Sequence, residues 1–388
     1  MTQILLPNNN GKLERYKMIS SGYGNYKPST PFNRTVYAAA HVVVDPLSET
    51  HPWVSAPAID WDATMAYREH LWKMGFKIAE AMDTSQRGMG VDWPTALELV
   101  KRSLEMVKDF DGADLASGAG TDQLTDFDSI TLDDVKAAYI EQIEGIEGAG
   151  GRIILMASRA LAHVAKGPDD YVALYNELIQ GCRYPVILHW LGDMFDPMLS
   201  GYWGEKDVYS NMDTVVSIIN DNIDKVDGIK ISLLEKEYEF DLRKRLPEAV
   251  KMFTGDDFNY PELIQGDGTH YSHGLLGIFD PIAPVAARAL EKLAEGDEVG
   301  YRELMDPTVP LSRKVFESPT QFYKAGVVFI AWLNGHQEHF SMAGGMQSAR
   351  SVGHYVEVFR LADQAGVLKD PELAASRMSN LLSVYGAV

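Results

Sequence analysis

Short apolar runs recur along the chain with starts about 20 to 40 residues apart, at residues 35–44, 76–82, 114–119, 152–157, 185–190, 228–233, 250–254 and roughly 269–275. Several are rich in Val and Ile and apolar at successive positions, the pattern of a strand buried on both faces. Most segments between them repeat their apolar residues at helical spacing. In residues 95–110, Ala96, Leu97, Val100, Leu104 and Val107 share one stripe, and residues 132–146 and 168–179 behave alike. Strand and helix alternating about eight times predict an α/β protein, a (β/α)8 TIM barrel. No sequence motif repeats with the structural unit.

The pattern changes at Pro284. Residues 285–294, 297–305, 321–334 and 353–365 read as helices without strands between them. The expected organisation is an N-terminal extension over 1–33, a catalytic barrel over 34–284 and an all-helical C-terminal region over 285–388. The extension is polar and rich in turn formers, with Asn8-Asn9-Asn10 and the segment 22–31.

Charge narrows the function. With 35 Lys and Arg against 55 Asp and Glu, the net charge is −20, which disfavours a grip on nucleic-acid phosphates or on anionic lipid. A single cysteine, Cys182, excludes an internal disulfide framework and a Cys-rich zinc module. No apolar run of about 18 residues is present, and residues 1–20 lack an apolar leader core. The expectation is a cytoplasmic protein without nucleic-acid or membrane partners.

The most informative segment is Asp227-Gly228-Ile229-Lys230-Ile231-Ser232-Leu233. Side chains alternate faces along a strand, so Ile229, Ile231 and Leu233 pack outward on helices. Gly228, Lys230 and Ser232 face the barrel axis. Lys230 then projects toward the C-terminal ends of the strands, where barrel enzymes carry their chemistry. Desolvation lowers the pKa of a lysine and frees its amine, which attacks ketones and aldehydes to form a Schiff base. The plainer alternative is a lysine at a frayed strand end, paired with Asp227 or Glu235.

Other segments fall in order around this lysine: Gly118-Ala119-Gly120, Tyr184-Pro185-Val186-Ile187-Leu188-His189, Gly228-Ile229-Lys230, Phe253-Thr254-Gly255-Asp256-Asp257, and Gly266-Asp267-Gly268 through Pro284. Together they resemble strands three, five, six, seven and eight of the dihydrodipicolinate synthase/N-acetylneuraminate lyase family of class I aldolases, over roughly residues 33–300. The resemblance implies a divergent TIM-barrel lyase with Lys230 as the imine-forming residue and no cofactor. By analogy it also implies a homo-oligomer, a dimer or tetramer. Two segments depart from the family. Its second strand ends Gly-Thr-Thr-Gly-Glu, which holds a 2-keto carboxylate. Here the sequence is Asp83-Thr84-Ser85-Gln86-Arg87, which keeps two hydroxyls, loses both glycines and offers Arg87 as a bidentate carboxylate contact. The family's proton-shuttling tyrosine on strand four is missing from Leu155-Met156-Ala157-Ser158-Arg159. A keto sugar therefore competes with a keto acid as substrate.

His189, ending strand five, is the candidate to replace that tyrosine as general acid/base. Asp193 lies in the following loop, placed to orient His189 or bind substrate hydroxyls. Thr84, Ser85, Arg87, Ser158 and Asp256 complete the expected substrate-binding set, with His270 and His273 if that stretch bends into the loop. Converging with His189 and Asp256, those two histidines would instead make a zinc or manganese site, the basis of a rival sugar isomerase or epimerase. A non-catalytic binding barrel is the third alternative. His41 is a further candidate for the mouth, whereas His336-Gln337-Glu338-His339 lacks the zincin spacing and reads as core or contact.

Overall fold

The structure is a computed structural model that describes residues 2–8, 10–20, 22–23, 26–49, 51 and 56–387. Asn9, Gly24 and Asn25, within the turn-rich N-terminal stretches, lie outside the described residues. The described residues form ten strands: β1 (Gln3–Pro7), β2 (Leu13–Lys17), β3 (Val36–Ala39), β4 (Lys77–Glu80), β5 (Leu115–Ala119), β6 (Ile153–Leu155), β7 (Val186–Leu191), β8 (Val226–Ser232), β9 (Lys251–Thr254) and β10 (His273–Leu276). The last eight close into a parallel barrel in sequence order, β10 pairing with β3. Each of the eight predicted apolar runs contains or overlaps one strand.

The helices, in the same residues, are α1 (Trp61–Lys73), α2 (Trp93–Met106), α3 (Leu132–Gly148), α4 (Arg159–Val164), α5 (Pro168–Gly181), α6 (Val208–Asp221), α7 (Lys236–Arg245), α8 (Tyr260–Gln265) and α9 (Phe279–Ala294) around the barrel. After it come α10 (Glu298–Met305), α11 (Val309–Val315), α12 (Tyr323–Leu333), α13 (Val352–Gln364) and α14 (Pro371–Val384). Strand alternation sorts the core as expected. Ile229 and Ile231 join the layer between strands and helices, while Tyr37, Ile154, Ile187, Phe253 and Leu275 fill the barrel itself.

Pro284 does not end an element; it sits inside α9. A proline there leaves the carbonyl four residues earlier, that of Asp280, without its helical donor. The Tyr67 hydroxyl lies 2.8 Å from that carbonyl oxygen and fills the gap. The N-terminal stretch is likewise more ordered than its polarity suggests. β1 and β2 form an antiparallel hairpin whose Ile4 and Leu6 are buried. Asp363 of α13 accepts from the Tyr16 hydroxyl at 2.8 Å and from the Ile19 and Ser20 N–H groups at 2.9 and 3.0 Å. Glu291 of α9 accepts from Tyr26, Ser29 and Thr30. Helix α12 is buried on every side and forms the centre of the C-terminal region, in keeping with a helix apolar all round.

One buried ion pair clamps the start of the barrel. Arg68 of α1 meets Glu80 at the end of β4 through Nε–Oε2 at 3.0 Å and Nη2–Oε1 at 2.8 Å, both side chains fully buried. Ser103 of α2 donates to the same carboxylate at 2.6 Å. Removing one partner strands the other charge in the core. Arg68→Leu is therefore expected to destabilise the protein by about 3–5 kcal/mol in urea unfolding, and Arg68→Leu/Glu80→Leu by clearly less than the single change.

Candidate active site

Lys230 projects from β8 into the barrel. Its backbone pairs in register with His189 of β7 and Phe253 of β9. The space for its stem comes from Gly255, which follows β9. A Cβ there would lie 2.5 Å from Lys230 Cε and 2.1 Å from Ser232 Oγ, so no larger residue fits. The lysine is only 8% exposed, and among the described residues its Nζ has no hydrogen bond and no ion pair. Asp227, one of the suggested partners, pairs instead with Lys251. Burial pushes the Lys230 ammonium below its usual range, against the opposing pull of Asp257 and Asp83.

Three groups surround the amine. His189 is fully buried, both ring nitrogens lack a partner among the described residues, and burial together with the Lys230 charge holds its pKa well below the usual value. It is a neutral imidazole. Asp257 is lifted by burial and drawn back by Lys230, and its Oδ1 accepts the Ile278 N–H at 3.0 Å. Asp83 follows β4, which stands opposite β8 in the ring of strands.

The C-terminal region closes the mouth. The Tyr323 hydroxyl at the start of α12 lies 2.8 Å from Thr84 Oγ1. Its ring stacks on Phe316 with centroids 4.3 Å apart, and Phe195 of the β7 loop packs edge-on to both. Gly277, at the end of β10, lets this stack approach, since a Cβ there would be 3.1 Å from the Tyr323 ring and 3.4 Å from Thr84 Oγ1. Burial and the Asp83 charge hold the Tyr323 phenol protonated. The same two carboxylates that pull on Lys230, Asp83 and Asp257, act on Tyr323. Lys324 also sits near Asp83. It donates to the Gln321 carbonyl at 3.0 Å, and burial brings its pKa down to about 8.

A cavity of about 430 Å³ opens beside these groups, within the usual size of small-molecule sites. Asp83, Ser158, Arg159, His189 and Asp196 line it, with Leu124, Phe127 and Met156 as apolar wall. Lys230 stands next to His189, one strand from this wall.

The expected binding residues fare unevenly. Thr84 is at the mouth, bonded to Tyr323. Ser85 donates to the Met82 carbonyl at 2.8 Å within its own turn. Arg87 lines the cavity, but all five of its N–H groups are taken. Nη1 meets the carbonyls of Ala81 and Gly118 at 3.1 and 3.0 Å, Nη2 meets Asp122 and Gln142, and Nε meets Asp122. It fastens strand ends together and has no donor left for a substrate carboxylate. Ser158 lines the cavity, where its Oγ lies 2.6 Å from Thr121 Oγ1 and caps α4. Asp193 is exposed and makes no bond to His189; Asp196 is the acid of that loop that reaches the wall, paired with Arg159. Asp256 accepts from Phe258, Asn259 and the Asn259 amide, so it builds the turn after β9.

His270 and His273 lie at the wrong end of the barrel. The loop holding His270 precedes β10, and His273 is that strand's first residue, its Nδ1 accepting from Thr35 N–H at 2.9 Å. Both are therefore at the N-terminal ends of the strands, away from Lys230. The metal cluster with His189 and Asp256 does not form, and the described residues hold no group of three His, Cys, Asp or Glu placed for a metal. His41 is buried with its Nδ1 2.8 Å from Asp280.

The model of a family described as "Protein of unknown function (DUF993)" matches residues 4–387. The chain belongs to the DUF993 family. No curated protein matches it. Among solved structures, this DUF993 protein is similar to a putative dihydrodipicolinate synthetase from Pseudomonas aeruginosa, with TM-score 0.65, 13% identity, and 86% of this chain and 99% of that one covered. It is also similar to the 4-hydroxy-tetrahydrodipicolinate synthase of Methylacidiphilum fumariolicum SolV, with TM-score 0.63, 15% identity, and 90% and 99% covered. The dihydrodipicolinate synthase from Bacillus clausii gives 0.62, 16%, and 84% and 96%. The shared feature is the barrel fold. No helix among the described residues is long and apolar enough to cross a membrane.

Tyr323, Asp196 and Lys324 escaped the sequence reading, Asp83 entered it only within the segment 83–87, and Asp257 only as a structural or hydroxyl-binding end to strand seven. The usable signal was Tyr323-Lys324, two polar residues opening an otherwise apolar helix. The neutral His189 carries a pH signature. In the unfolded chain an imidazole takes up a proton near pH 6.5, whereas the folded site resists it. The stabilising effect is complete above that value and declines as pH falls, by up to about 1.4 kcal/mol per pH unit. His189→Gln is expected to flatten stability against pH by one proton's worth below about pH 6.5 in urea titrations.

Proposed function

We propose that this DUF993 protein is a Schiff-base-forming aldolase or lyase that acts on a small keto acid or keto sugar through Lys230. The observation that carries the reading is a buried amine at a barrel mouth with no ion pair of its own, beside a cavity of substrate size. Its fold is that of solved dihydrodipicolinate synthases, which supports carbon–carbon lyase chemistry by analogy.

The neutral amine attacks the substrate carbonyl carbon, and the carbinolamine loses water to give a protonated imine. The bond between the α and β carbons of the imine then breaks. Its electron pair flows into the imine to form an enamine, and the departing fragment leaves as an aldehyde once its hydroxyl proton has been removed. Protonation of the enamine and hydrolysis of the imine release the second product. Asp257 exchanges protons with the amine, the Thr84–Tyr323 hydroxyl pair serves the carbinolamine oxygen, and His189 receives the hydroxyl of the departing fragment from the cavity wall. Tyr323 thus fills the role left open by Met156, from a helix far along the chain.

Borohydride treatment with a panel of keto acids and keto sugars is expected to leave a reduced adduct on the Lys230 peptide in mass spectrometry, and none in Lys230→Ala. A compound that is turned over yet leaves no adduct on Lys230 would falsify the reading. Turnover is expected to survive a chelator. Tyr323→Phe should still trap the imine while losing about 10²–10⁴ in turnover, the worth of a positioned proton donor.

A further inference from the structure

We infer that the compound bound by Lys230 is a hydroxylated ketone or aldehyde, uncharged next to its carbonyl, and not a 2-keto acid. The inference rests on the imine reading above and selects between the two substrate classes it leaves open. A 2-keto acid carries its carboxylate directly on the carbon that becomes the imine carbon, within a few ångströms of Nζ. Such a group, taken out of water, requires a cation or several donors directed at it.

Most of the side chains that could supply them are already engaged. Arg87 spends all five N–H groups on Ala81, Gly118, Asp122 and Gln142. Ser85 donates to Met82. Thr84 and Tyr323 bond each other and keep one hydroxyl proton between them. Lys324 spends two of its three N–H donors on the Gln321 carbonyl and Met89 Sδ, and its charge is drawn by Asp83. Arg159 has its Nε on Asp196 and its terminal nitrogens unclaimed among the described residues, but it follows β6, two strands from β8.

The charges that do face the amine are negative. Asp257 stands on the neighbouring strand end, and Asp83 faces Lys230 from the opposite side of the ring. Asp83 lines the cavity, and its carboxylate accepts no hydrogen bond from any described residue. A substrate carboxylate beside the imine would compete with these two anions for the single positive charge of the protonated imine, a like-charge contact that costs several-fold in binding at least. A hydroxymethyl group in the carboxylate's place would instead donate its hydroxyl proton to the unclaimed Asp83 and accept the spare proton of the Thr84–Tyr323 pair. Ser158 and Asp196 continue the same hydroxyl-accepting character along the wall.

The test compares dihydroxyacetone with pyruvate under cyanoborohydride, reading the Lys230 peptide by mass spectrometry. Labelling is normalised to the exposed Lys108 of the same molecule, which cancels intrinsic reactivity. Dihydroxyacetone is expected to label Lys230 about tenfold or more over pyruvate, and Asp83→Asn to shrink that preference, because the repelling charge and the hydroxyl acceptor are weakened together. Pyruvate labelling Lys230 as well as dihydroxyacetone, or a preference unchanged in Asp83→Asn, overturns the substrate class and leaves the imine reading standing. Labelling of Lys108 alone by both compounds overturns the imine reading, and this inference with it.

Discussion

An ammonium group removed from water without a counter-ion is one of the least favourable objects a protein can hold, and the simplest relief is to lose its proton. Lys230 is held in that condition. The barrel interior dries its stem, Gly255 makes room for it, and the nearest carboxylates stand off beyond ion-pair distance. A direct partner would have stabilised the cation and kept the proton in place. Distance from Asp257 and Asp83 leaves its charge only partly compensated.

The same economy explains the neighbours. His189 has nothing to bond among the described residues and stays neutral, so it adds no second cation beside the first. Arg87, by contrast, is bound at every donor and adds rigidity where the strand ends meet. A fully engaged guanidinium and an unengaged carboxylate on one wall invert the polarity that a carboxylate-binding pocket needs.

The barrel was legible because two-sided apolar strands leave a period that survives any change of side-chain identity, and Lys230 stood out as the polar exception within one of them. What was hidden depended on contacts between distant parts of the chain. No spacing rule shows that Tyr323 meets Thr84, since the two are joined only by the docking of α12 over β10. Arg87 looked free because its partners, carbonyls of Ala81 and Gly118 among them, carry no side-chain signature. His270 and His273 were placed in the site on the expectation that their stretch bends into the loop at the mouth. The strand begins only at His273, which shifts the histidines to the opposite rim. The helix expected to start after Pro284 starts instead at Phe279, because Tyr67, more than two hundred residues earlier, supplies the missing donor.

The hairpin, the barrel and α12 are bolted to one another through Asp363, Glu291 and the aromatic stack over the mouth. A nascent chain released at the eighth strand would own a lysine but no roof, and water would flood the chamber. The enclosure of Lys230 is thus a property of the whole chain, complete only when the C-terminal helices have settled over the barrel.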